Sequence, residues 1–95
     1  MASYVVLVNF TDQGIRTVSD SPKRYEAFKA AAEKLEVQIK SVFWTVGAYD
    51  IVTTVEGSDE AVTAALLKLG SGGNVRTQTL RAFSPDEFSR IVKKL

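Results

Sequence analysis

V46-G-A-Y-D-I-V-T-T-V-E56 sets a glycine, a tyrosine and a carboxylate directly ahead of a β-branched run. Gly47 interrupts what precedes it, and Tyr49 to Glu56 has the composition of a strand. A strand buried on one face alternates apolar with polar residues. Here Tyr49, Ile51 and Val55 fall on one side and Val52 on the other, so both faces call for cover. Upstream, Val37 to Thr45 alternates Val37, Ile39, Ser41 and Phe43 against Gln38, Lys40, Val42 and Trp44, which reads as a strand with one mainly apolar face. The short loop between the two strands predicts an antiparallel hairpin.

Working outward, Tyr4 to Phe10 is another apolar β-branched run, ending at the polar cluster T11-D-Q-G14 and read as strand then loop. S19-D-S-P22 supplies a helix start, with Asp20 or Ser21 as cap and Pro22 where its missing N–H costs nothing. Tyr25, Phe28, Ala32 and Leu35 then recur at helical spacing. After the hairpin, Ser58 or Asp59 caps a second helix whose stripe is Val62, Ala65, Leu66 and Leu69, stopped by Gly70 to Gly73. Asn74 to Phe83 is the most polar strand and is expected at an edge. S84-P-D-E87 is a capping box opening a short tail helix that carries Phe88, Ile91, Val92 and Leu95.

The order β-α-β-β-α-β plus a tail helix predicts an α+β, ferredoxin-like domain over residues 1–95, with an antiparallel four-stranded sheet. Right-handed crossovers put the first and third strands at the centre and both long helices on one face. The other face of those strands is too apolar for water. A second copy stacking sheet on sheet, a dimeric α+β barrel, would cover it. The tail helix folding over the open face of a monomer is the alternative.

Composition narrows the chemistry. Twelve basic against eleven acidic residues leave a formal charge of +1, too small a field for non-specific binding to nucleic acid or anionic membrane. The absence of cysteine and histidine removes thiol nucleophiles, imidazole bases, disulfides and thiolate or imidazole metal sites. No cofactor and no metal are expected. The apolar start has no signal-peptide pattern and no segment approaches membrane-spanning length, so the expected location is cytoplasmic.

G47-x-Y49-D50, N9-F10-T11-x-Q13-G14-I15 and G73-N74-V75-R76-T77-x-T79-L80-x-A82-F83, in that relation over nearly the whole chain, resemble the GYD domain family. The resemblance implies a ferredoxin-like, dimeric α+β barrel domain and no established biochemical activity. A weaker similarity connects V46-G-A-Y-D-I-V-T-T-V-E56, a helix and G-N-V-R-T-Q-T to the effector domain of AsnC-type, leucine-responsive regulators. That similarity implies a module that senses or binds, without the DNA-binding helix-turn-helix that precedes such domains.

Seven positions carry the functional expectations. Asp50 can order loop N–H groups near Gly47 or the Gly72-Gly73-Asn74 turn, or it can contact a ligand. Gly47 and Gly73 are loop residues with structural roles. Tyr49 suits either core or pocket wall. Trp44 stacks on a ligand or plugs the dimer seam, the seam being the expectation. Asn9 needs a hydrogen-bond partner if buried. Arg76 holds a carboxylate bidentately or makes a surface or intersubunit ion pair. Thr11 to Ile15 and the residues around Asn74 and Arg76 are expected at different ends or edges of the sheet. L69-G-S-G-G-N74 follows a helix rather than opening one, which argues against a phosphate loop. The catalytic residues, if any, are unknown. The reading is a homodimeric small-molecule-binding or regulatory module; the alternative is a cofactor-free barrel enzyme of monooxygenase or isomerase type.

Overall fold

Along residues 1–95 the computed structural model runs β1 (Ala2–Phe10), α1 (Asp12–Arg16), a 3-10 turn (Val18–Asp20), α2 (Ser21–Lys34), β2 (Gln38–Trp44), β3 (Ile51–Gly57), α3 (Asp59–Ser71), β4 (Val75–Ala82) and α4 (Pro85–Val92). The strands form one antiparallel sheet in the order β2-β3-β1-β4, as a ferredoxin-like α+β domain requires. β1 is central and pairs with β3 from Ala2–Gly57 to Val8–Ile51 and with β4 from Ser3–Ala82 to Phe10–Val75.

Strand periodicity then sorts the side chains. Tyr4, Val6 and Val8 of β1, Val55 of β3 and Val75 of β4 are buried against Ala32 of α2, Val37, and Val62 and Ala65 of α3. Their neighbours Val5 and Leu7, with Val52 of β3, Phe43 of β2 and Leu80 of β4, occupy the opposite face. No helix covers that face: Phe43 is 64% exposed and Leu80 44%.

Two local features depart from the sequence reading, and a third lies outside it. T11-D-Q-G14 does not run as a loop but starts α1, because the Thr11 hydroxyl caps the helix by accepting from the Gly14 N–H at 3.1 Å. In β2 the pairing shifts between Ile39 and Ser41, leaving Lys40 as an extra residue. The bulge reverses the faces behind it: Ile39, Val42 and Trp44 point to the helices while Ser41 and Phe43 point to the open side, so the strict alternation of the strand fails. Finally, α2 ends without glycine. Glu36 takes the left-handed conformation at φ 61°, and the N–H groups of Glu36 and Val37 close on the carbonyls of Glu33 and Ala32 at 3.0 and 2.9 Å. That is a Schellman closure, completed by burial of Val37.

α4 opens with the expected capping box, the Ser84 hydroxyl accepting from the Glu87 N–H at 3.2 Å and the Glu87 carboxylate accepting from the Ser84 N–H at 2.9 Å. Its apolar residues stay in solvent, Phe88 at 55% and Val92 at 46% exposure, so α4 does not fold over the open face of its own sheet.

The hydrogen bonds from the Ser84 backbone and then its hydroxyl, helped by Arg81 and Arg90, hold the Glu87 carboxyl below the ordinary glutamate range. A carboxyl whose folded-state value is depressed stabilises above its unfolded value, and that contribution fades as pH falls through the folded one. The cap of α4 is therefore expected to be intact at neutral pH and to fray only below the usual glutamate range. An NMR titration of the Glu87 carboxyl and the Phe88 amide checks this; a midpoint at the ordinary glutamate value contradicts it.

Candidate functional site

Because β1 is antiparallel to both of its neighbours, its C-terminal end lies beside the starts of β3 and β4. The two segments expected at different ends of the sheet are in fact interlocked there. Thr11 N–H donates to the Asn74 carbonyl at 3.0 Å and the Thr11 hydroxyl to the Gly73 carbonyl at 2.6 Å. The Gln13 amide donates to the Gly72 carbonyl at 3.2 Å and to Asn74 Oδ1 at 3.0 Å. Gly14 is buried so tightly that an added Cβ would stand 1.9 Å from the Asn74 carbonyl oxygen. Gly73 supplies the φ of +82° that turns the chain into β4. Arg24 of α2 ties the outer side, donating to Thr17 O and Oγ1 at 3.1 and 3.0 Å and to Gly14 O at 3.3 Å.

Asp50 belongs to the same assembly. β3 begins one residue later, yet the Asp50 N–H donates to the Val8 carbonyl at 2.9 Å and so extends the ladder. Its carboxylate then accepts the Phe10 N–H at 2.8 Å, replacing the carbonyl that β3 no longer offers. The group it orders is thus the end of β1, neither the Gly47 loop nor the Gly72-Gly73-Asn74 turn. Gly47 sits at φ +152° in an exposed loop with nothing within 4 Å of an added Cβ.

The remaining candidates divide between the two faces. Asn9 and Arg76 are opposed across β1 and β4 on the open face, both exposed, so Asn9 needs no protein partner. Tyr49 reaches the same end of that face, its hydroxyl 3.4 Å from Gln78 Oε1. Trp44 lies on the other side. The Lys40 bulge turns it toward α2, where its indole N–H donates to the Ser21 hydroxyl at 3.0 Å and its ring meets Tyr25 edge-on at 5.7 Å. Trp44 therefore does not occupy the face that a sheet-to-sheet seam would use. The structure brings together Asn9, Tyr49 and Arg76, sets Asp50 in the ladder beside them, and removes Trp44.

A cavity of about 80 Å³ lies between α2 and the sheet, directly behind the interlocked loops. Val8, Phe28, Val42 and Ile51 form much of its wall, with Arg24 and Asn74 among its polar lining. None of the five ligand-binding candidates lines it. The missed residues had a signal: Ser21, Tyr25, Phe28 and Ala32 repeat at steps of four, three and four, so the buried stripe of α2 begins at a serine that is only 4% exposed. No group of three or more acidic side chains is placed to hold a metal ion, and no helix is long and apolar enough to cross a membrane.

The sheet order and the pair of long helices on one face place the molecule in the ferredoxin-like class. Within that class the chain belongs to the GYD domain family, whose profile matches residues 4–92. A curated relative, the glutamine synthetase and cystathionine beta-lyase binding protein of Thermus thermophilus, is 36% identical over 84 residues, spanning 86% of this chain and 88% of the relative. A crystal structure of a protein from Thermus thermophilus superposes with a TM-score of 0.55 at 26% identity, covering 88% of this chain and 95% of the other. The feast or famine regulatory protein from M. tuberculosis, solved in complex with L-methionine, shares the fold with a TM-score of 0.55 at 20% identity, over 88% of this chain and 51% of its own.

Replacing Asp50 with Ala leaves the half-buried Phe10 N–H without its acceptor and is expected to cost about 1–3 kcal/mol, read from urea unfolding. Gly14→Ala forces the α1 turn away from Asn74 and is expected to cost about as much, roughly 1–3 kcal/mol. An Asp50→Ala protein as stable as the parent would remove the structural role assigned to that carboxylate.

Proposed function

We propose that this GYD domain is a homodimeric binding module that acts by holding partners rather than by catalysis. The observation that carries the reading is the uncovered apolar face of the sheet, where Val5, Leu7, Val52, Phe43 and Leu80 adjoin. Size supports it. A monomer of 10.4 kDa is expected to expose about 5,400 Å², whereas the chain exposes 6445 Å². The excess, about 1,000 Å², is on the scale of the roughly 800 Å² that each partner contributes to a stable interface. Its radius of gyration, 14.3 Å, likewise exceeds the about 12 Å expected for this length.

Binding without turnover accords with the relative named for binding glutamine synthetase and cystathionine beta-lyase, and those two enzymes are the first partners to try. It also accords with the candidate site, where the carboxylate of Asp50 is occupied by a backbone N–H and stands in no acid–base pair.

Sedimentation should give a mass near twice 10.4 kDa at micromolar concentration. Phe43→Glu, at a site already 64% exposed, should leave the fold intact and return the mass to one chain. Purified glutamine synthetase and cystathionine beta-lyase, immobilised in turn, test the partner class. A single-chain mass for the unmodified protein would overturn the dimer.

A further inference from the structure

The cavity beneath α2 has an interior and a rim of different chemistry. Inside, Val8, Phe28, Val42, Ile51 and Leu69 present apolar side chains. The hydroxyls of Ser21 and Thr53 in its wall are already engaged: Ser21 accepts the Trp44 indole N–H at 3.0 Å, and Thr53 donates to the Ser41 carbonyl at 2.6 Å. An occupant therefore gains by burying apolar surface there. Size limits it. An engineered apolar cavity of about 150 Å³ holds a benzene ring, so the 80 Å³ here admits roughly three carbons, an isopropyl group.

At the rim stand Arg24 and Asn74, and no acid lines the cavity. Arg24 follows Ser21 by three residues and precedes Phe28 by four, on the helical stripe that covers the cavity. Its Nη1 donates to Thr17 O and Oγ1 and its Nη2 to Gly14 O, and none of these partners is a carboxylate. Of the five guanidinium hydrogens, the Nε–H and one on Nη2 are left over, donors suited to the two oxygens of a carboxylate. Asn74 accepts from Gln13 through Oδ1, which leaves its Nδ2 to donate. The clasp between α1 and the Gly72-Gly73-Asn74 turn already holds both groups in place, which lowers the ordering cost of binding there.

We propose that this cavity binds a short, branched aliphatic carboxylate, its isopropyl end beneath α2 and its carboxylate at the rim on Arg24 and Asn74. The charge-assisted bonds orient the anion, and the buried tail supplies apolar contact. Isovalerate is the simplest compound of that shape. The site goes beyond the holding of protein partners, and it lies on the helix-covered side of the sheet, away from the open face assigned to the dimer. The two readings therefore fail independently.

The test is a methyl NMR titration of the intact protein with isovalerate, against isovaleramide, acetate and phenylacetate. Isovalerate should give saturable shifts at the methyls of Val8, Val42, Ile51 and Leu69. Isovaleramide, which keeps the tail and loses the charge, should bind about tenfold or more weakly. Acetate, which keeps the charge and loses the tail, should weaken by a similar factor, and phenylacetate, whose ring is too large, should leave those methyls unmoved. Arg24→Gln should abolish the preference for acid over amide, and Val42→Phe, which fills the cavity, should abolish binding with the fold retained. Should either variant not fold, the four compounds on the unmodified protein still decide. Isovaleramide binding as well as isovalerate, shifts confined to Val5, Leu7 and Leu80 on the open face, or no saturable shift would each overturn the proposal. The Phe43→Glu variant separates the two claims: it should lose the dimer and keep isovalerate.

Discussion

β1 lies between β3 and β4 with apolar side chains on both of its faces, and the chain has helices enough to cover only one. Tyr4, Val6 and Val8 are buried beneath α2 and α3, while Val5 and Leu7 face outward beside Val52. Hydrophobic burial is proportional to the area removed from water, so the buried side supplies the core. The outward side leaves a surface that a monomer would not ordinarily keep. The proposed dimer traces to that asymmetry.

A second constraint gathers the polar motif residues at one place. A central antiparallel strand ends where both neighbours begin, so the loops that follow β1 and precede β3 and β4 must share one end of the sheet. Backbone groups released from the ladder need new partners there. Asp50 takes the Phe10 N–H, Thr11 and Gln13 satisfy the carbonyls of Gly73 and Gly72, and Gly14 allows the two turns to touch. Of the G-x-Y-D residues, Asp50 thus holds the end of β1 to the start of β3.

Much of this was legible in the residue order. Helical spacing and capping signals placed α2, α3 and α4, and β-branched runs placed the strands. Right-handed crossovers in the β-α-β-β-α-β order put β1 and β3 at the centre. The extra helical turn of α1 was less visible, because T11-D-Q-G14 has the composition of a loop and becomes helical only when Thr11 caps it. Trp44 was assigned to the wrong side for a specific reason: a bulge adds one residue to a strand, and every side chain beyond it changes face.

What the sequence determined by itself was local: which segments are helix or strand, where they start, and that one more apolar face exists than the helices can cover. Those properties depend on neighbours within a few residues, through periodicity, capping and branching at Cβ. What only the tertiary structure decided was which distant groups meet. The bond between Asp50 and Phe10 spans 40 residues and that between Thr11 and Gly73 spans 62. Such pairings follow from strand order and register, which no short window of residues contains. Asp50 of the G-x-Y-D element is accordingly a fastening between strands, and its meaning came from the strand it fastens.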